Sequence, residues 1–190
     1  MTENRADLIA RELDQRASRA ASSEELDNLA AQIPDAEMLW SVADRVAPEI
    51  PTMGAIYRRA LAIEAPIETA IGYLALAHLF NGNDKAAVAL IGNDFPKSLD
   101  PVLLDAWTAL VEGPGKRIAR IREALRAAPH SLRLWRSLAS AAIQENAQDV
   151  AGEAYLWLAR HETNPTELQR IEKVLRSHGW LTQEDDIAHE

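Results

Sequence analysis

The sequence predicts an all-α protein: about five antiparallel helix pairs stacked as an α-solenoid, closed by one C-terminal helix. Three observations predict it. Prolines at 34, 66, 96, 129 and 165 lie 32, 30, 33 and 36 residues apart, the length of two short helices with their turns. Near the middle of the intervals stand turn signals, APEIP (47–51), NGND (81–84), EGPG (112–115) and ENAQD (145–149), whose Gly, Asn, Asp and Pro supply the dihedrals that reverse a chain. No segment alternates convincingly with the period of two that a half-buried strand needs.

Each element follows from a start or stop signal. The charged opening MTENRADLIARELDQR gives a first helix over 4–20 and has no apolar signal core. Ser22 with Glu25 forms a capping box for a helix over 23–32, which stops at LDNLAAQIP before Pro34. The next pair spans 35–47 and 52–64, turning at APEIP and ending at IYRRALAIEAP. Proline lacks an N–H and disfavours helical geometry in the residue before it, so it punctuates each pair. Helices over 67–80 and 84–92 flank NGND, and Asp100 before Pro101 opens a helix over 101–111. After EGPG a helix over 115–127 ends at IREALRAAP, and a pair over 131–145 and 148–162 turns at ENAQD. Asn164, Pro165 and Glu167 start the closing helix, 166–177, which ends at SHGW, where Gly179 can take a left-handed cap and Trp180 can fold back. The expected organisation is one repeat domain over 1–180 and an acidic tail over 181–190.

Composition narrows function. The 190 residues are 47% hydrophobic and 26% charged, enough for a real core. The longest apolar stretch, Thr69 to Phe80, is too short to cross a bilayer. The absence of cysteine excludes disulfides, thiol catalysis and cysteine-ligated metals. Cytoplasm is the default compartment, and no membrane partner is expected. A net charge of −9 argues against general nucleic-acid binding. One basic island stands out: Lys116 to Arg136 holds seven basic residues and one acid, Glu123. Its bland reading is a solvated face partly paired with Glu112 and Glu123. The alternative is a surface for an anionic partner.

No catalytic pattern appears, and no catalytic, cofactor or metal site is expected. The five histidines have no HExxH spacing, and NGND and EGPG lack the Lys-Ser/Thr of a phosphate loop. The carboxylates scatter over polar helix faces, and the EDD at 184–186 is at best a weak cation site.

Trp135, Leu138, Ala139, Ala151, Tyr155, Ala159 and Pro165 resemble the tetratricopeptide repeat, as do Trp40, Tyr57, Ala60, Leu61 and Pro66. Ile121, Ala124, Leu125 and Pro129 match its second half, and LWSVADRV with IYRRAL also looks like the half-repeat variant of RNA-processing scaffolds. The matches are degenerate: Asp44, Leu76 and Asp105 stand where the family has a small residue. The large aromatics Trp40, Trp107, Trp135 and Tyr155 are expected in the core, Trp180 in a cap.

The resemblance implies a right-handed superhelix whose first helices line a concave groove. It places there Met38, Ser41 and Arg45; Ala70, Tyr73, Ala77, Phe80 and Asn81; Val102, Ala106, Ala109 and Leu110; and Arg133, Arg136, Ser140 and Gln144. The middle of that row is apolar, so the Lys/Asn/Arg carboxylate clamp of the family's chaperone-binding members is absent. Two readings stay open: an apolar floor with arginines at one end, suited to an amphipathic helix or an apolar peptide with an acidic end, or a groove closed by its own packing. The expected function is a non-enzymatic adaptor or chaperone holding a protein or peptide segment. The alternatives are an RNA-associated scaffold using 116–136 and an accessory subunit of an enzyme.

Overall fold

A computed structural model of the chain describes residues 4–111 and 115–181, and among the described residues it is built of eleven helices and no strand. They are α1 Arg5–Ala17, α2 Ser23–Ala30, α3 Ala36–Ala43, α4 Ile50–Ala62, α5 Ile67–Phe80, α6 Asp84–Ile91, α7 Pro101–Ala109, α8 Lys116–Ala127, α9 Leu132–Gln144, α10 Gln148–His161 and α11 Pro165–Ser177. Each overlaps its expected range, because the signals read from the sequence form real caps. Ser22 and Glu25 close a complete capping box on α2. The Asp100 side chain accepts from the N–H groups of Val102 and Leu103, and that of Asn164 from Thr166 and Glu167. These bonds satisfy amides that have no partner inside a helix.

Five helices end with one device: a residue at φ between 53° and 70° (Ala20, Glu64, Gly82, Asn146, Gly179). In each, the next N–H reaches a carbonyl five residues back: Ala21 to Arg16, Ala65 to Ala60, Asn83 to His78, Ala147 to Ala142, Trp180 to Leu175. That is the Schellman closure. The expected left-handed cap at Gly179 is among them.

The chain divides into two compact units, Met1–Leu110 and Val111–Glu190. The expected pair 101–111/115–127 therefore has one helix in each, and of EGPG only Gly115 falls within the described residues.

In the first unit α1 packs on α2 and α3, α2 on α4, α4 on α5, and α5 on both α6 and α7. Leu13, Leu26, Leu29, Ile33, Leu39 and Ile56 form its fully buried centre. With α4, α6 and α7 all against it, α5 is apolar around its circumference, as an enclosed helix must be. Gly72 sets the closeness of α5 and α7: a Cβ there would lie 2.7 Å from the Leu103 nitrogen and the Val102 carbonyl carbon. In the second unit α8 packs on α9, α9 on α10 and α10 on α11, around Ile121, Leu134, Leu138, Leu158 and Leu175. Among the described residues no helix is long and apolar enough to cross a membrane.

Candidate functional site

The residues expected to line a groove have different fates. In the first unit Ala70, Tyr73, Ala77, Val102 and Ala106 are buried. Of the two readings, an open apolar floor and a groove closed by its own packing, these five residues follow the second, because the close approach at Gly72 closes α5 onto α7. Tyr73 stacks on Trp40 with ring centroids 6.2 Å apart, and its hydroxyl donates to the Asp44 carboxylate. Asp44, where the repeat family has a small residue, is thus tied to the next first helix. Leu110 packs against the small cluster of Ala75, Ala87 and Ala106, and Ala109 is half-buried. Arg45 pairs with Asp7 at 2.6 Å and donates to the Ser41 hydroxyl at 2.6 Å. Met38 and Ser41 line a polar recess with Asp35 and Glu37. Phe80 is 81% exposed at the end of α5, while the Asn81 side chain donates to the Pro48 and Ala77 carbonyls.

In the second unit two expected groove residues, Arg136 and Ser140, edge a real pocket of about 210 Å³ between α9, α10 and α11. Ala139, Tyr155, Leu158, Ile171 and Val174 make its apolar walls, and Arg136, Ser140, Glu167 and Arg170 its polar edge. Arg133 is half-buried on α9, and Gln144 is exposed at that helix's end.

Helix spacing builds this site. Arg136, Ala139 and Ser140 fall on one face of α9, and Tyr155 with Leu158 on one face of α10. Arg170, Ile171 and Val174 do the same on α11, with Glu167 one turn earlier. The α11 wall is placed by Glu162, the C-cap of α10, which is only 6% exposed. One of its carboxylate oxygens accepts from the Arg136 guanidinium and the other from the Asn164 N–H at 2.9 Å. Burial pushes this carboxyl towards protonation, but the Asn164 N–H and Arg136 outweigh it and hold its pKa below the ordinary value. The expectation that the carboxylates sit on solvated faces fails at this residue: Glu162 is a buried ion that joins α9, α10 and α11.

Two aromatic ladders flank α10. On one face Tyr155 stacks on Trp180 (6.1 Å) and Trp180 on His178 (4.5 Å). Gly152 leaves room for Trp180, whose ring lies 3.3 Å from where a Cβ would stand, so Trp180 is the expected cap contact. Burial also raises the Tyr155 phenol pKa. On the other face Trp135 stacks on Trp157 (4.6 Å), which stacks on His161 (3.9 Å). Trp107 is the expected core residue, whereas Trp40, Trp135 and Tyr155 are half-buried. Trp135 differs from expectation because it lies flat on Trp157 while its indole N–H donates to the Pro129 carbonyl at 2.8 Å.

The basic island is partly neutralised across helices: Arg122 pairs with Glu153 at 2.6 Å and Arg136 with Glu162. Partial burial lowers the Arg120 pKa, and the nearby Glu123 charge opposes that shift without cancelling it. Glu112 and the EDD at 184–186 lie outside the described residues. Among the described residues no three His, Asp or Glu side chains gather as a metal site. Sequence reasoning missed Glu162, Leu158, Arg170, Ile171 and Val174. The caps placed α11 in the chain, but which of its faces meets α10 depends on the Glu162 junction.

No protein-family model matches the chain, and the comparisons with curated proteins and with solved structures gave no significant match.

Proposed function

We propose that the protein is a non-enzymatic helical scaffold that holds a segment of a partner protein, with the α9–α11 pocket as the place of contact. The observation that carries this reading is the pocket's composition: five apolar side chains form the walls, and two arginines, half or more exposed, stand at the edge. An apolar cavity with few polar groups suits one side chain of a partner, and the arginines supply orientation through N–H donors that Glu162 and Glu167 do not use up. A tetratricopeptide-like ancestry and a cytoplasmic role belong to the same proposal.

Selection of random dodecamer peptides on the immobilised chain tests it. Enriched sequences are expected to share one aliphatic residue next to an Asp or Glu, and Ser140→Trp, which fills the pocket mouth, is expected to abolish enrichment. Enrichment that survives Ser140→Trp unchanged contradicts the pocket as the contact. Preferential retention of RNA, lost on raising salt, would favour the 116–136 face instead.

A further inference from the structure

We propose that the α9–α11 pocket takes an amphipathic helix of the partner, lying antiparallel to α9 and α11 with one aliphatic side chain between the apolar walls. An Asp or Glu three or four residues further along that helix meets Arg136 and Arg170, so the acid beside the aliphatic residue lies one helical turn away. This rests on the reading of the pocket as a peptide site and goes beyond it by fixing the partner's conformation, its direction and the spacing of its two anchors.

The direction of the walls comes from contacts at the two ends of α10. Glu162, just past its last turn, meets Arg136 near the start of α9, and Trp157 stacks on Trp135. Trp180, just beyond α11, stacks on Tyr155 and lies against Gly152, towards the start of α10. These contacts set α10 antiparallel to both neighbours, so α9 and α11 run the same way, and the pocket lies between them over α10.

The pocket therefore has two different ends. Arg136 and Arg170 stand where α9 and α11 begin, and Ala139, Ser140 and Val174 follow one turn further on. The arginine side chains are 51% and 71% exposed, so each keeps N–H donors beyond its pairing with Glu162 or Glu167. Two helix N-termini add positive potential at the same end. A partner carboxylate is favoured there and an aliphatic side chain one turn away. A bound helix antiparallel to α9 and α11 also turns its negative C-terminal pole to that end, so the acid follows the aliphatic residue in sequence.

Main-chain chemistry selects a helix over an extended segment. An added strand needs a sheet edge for its N–H and C=O groups, and among the described residues there is no strand. The walls are helix faces whose backbone groups bond within their own helices. A bound helix arrives with its backbone already paired and asks the groove only for side-chain contacts. Its residues i and i+4 stand about 6 Å apart along the axis, which matches the one-turn offset between Arg170 and Val174 on α11.

Two displayed peptide libraries of equal length, panned on the immobilised full chain, test this. One is alanine-rich and helical, randomised at i, i+3, i+4 and i+7; the other is threonine-rich and extended, randomised at alternate positions. The helical library alone should be enriched, and its winners should carry an aliphatic residue followed by Asp or Glu three or four positions later. A synthetic winner should bind an Arg170→Glu chain about ten-fold more weakly than wild type, a difference that shrinks in molar salt. Arg170 is exposed, so this variant should keep the helical circular dichroism of wild type. Panning on it should replace the acid by Lys or Arg at the same spacing, and an acid retained there overturns the proposed pairing. Enrichment of the extended library, or winners with the acid before the aliphatic residue, overturns the antiparallel helix. If Ser140→Trp still abolishes that enrichment, the pocket as a peptide site stands. Enrichment of neither library, or helical winners indifferent to Ser140→Trp, overturns both readings.

Discussion

Single residues decide more here than the repeat pattern does. Gly72 is the clearest case: a methyl group would meet backbone, which cannot swing away. Gly72→Ala is expected to cost about 2–3 kcal/mol by forcing α5 from α7, read as a lower urea midpoint. An unchanged midpoint would mean that the two helices are not in such close contact. Glu162 gives a pH signature. Its carboxyl is paired and held below its unfolded pKa, so its contribution is fully present above that value and is lost as pH falls through the folded one. The stability gap between wild type and Glu162→Gln is therefore expected to stay constant above about pH 5 and to shrink in acid. A gap that widens on acidification contradicts the pairing. Trp135→Ala should cost about 1–3 kcal/mol, below the 3–5 kcal/mol of a fully buried aromatic, because one stacked partner and one N–H bond are lost from a half-open site. Phe80→Ala should leave stability within about 0.5 kcal/mol of wild type, since an 81% exposed ring loses little packing.

At the scale of the element, the helices were legible because their ends are chemical. Ser22, Asp100 and Asn164 cap as their residue types imply, and Pro34, Pro66, Pro129 and Pro165 fall where helices must stop or start. Less legible were the ends where a non-glycine residue takes positive φ: Ala20, Glu64 and Asn146 close helices as Gly82 and Gly179 do. Nothing in the types Ala or Glu signals this, because the closing bonds to Arg16 and Ala60 force the geometry. Glu64 is exposed, so Glu64→Gly should relieve left-handed strain and raise stability by about 0.5–1 kcal/mol, visible as a higher melting temperature. A lower one would show that Glu64 is unstrained. Register within a helix predicted which residues share a face, such as Arg136 with Ser140. It did not predict what that face meets: the row through Tyr73 and Ala106 was closed by Gly72, and the row through Arg136 was left open beside α11.

For the whole molecule, period and caps foretold helices packed on their sequence neighbours, while the division into two units between Leu110 and Val111 lay beyond them. Prolines report where helices stop, and they are silent on how many neighbours each helix gains. In the first unit α5 meets α4, α6 and α7, which buries Ala70, Tyr73 and Ala77 of its expected groove face and leaves Phe80, at its end, exposed. In the second unit α11 packs on α10, and the pocket opens among α9, α10 and α11 with no fourth helix lining it. The functional account therefore stands on the second unit. Amide chemical-shift mapping of the full chain, titrated with a selected aliphatic–acidic peptide, tests it most directly. The account predicts saturable shifts centred on Ala139, Ser140, Leu158, Ile171 and Val174. Shifts confined to the outer face of α8, around Arg120 and Arg126, or to the neighbourhood of Phe80, would contradict it.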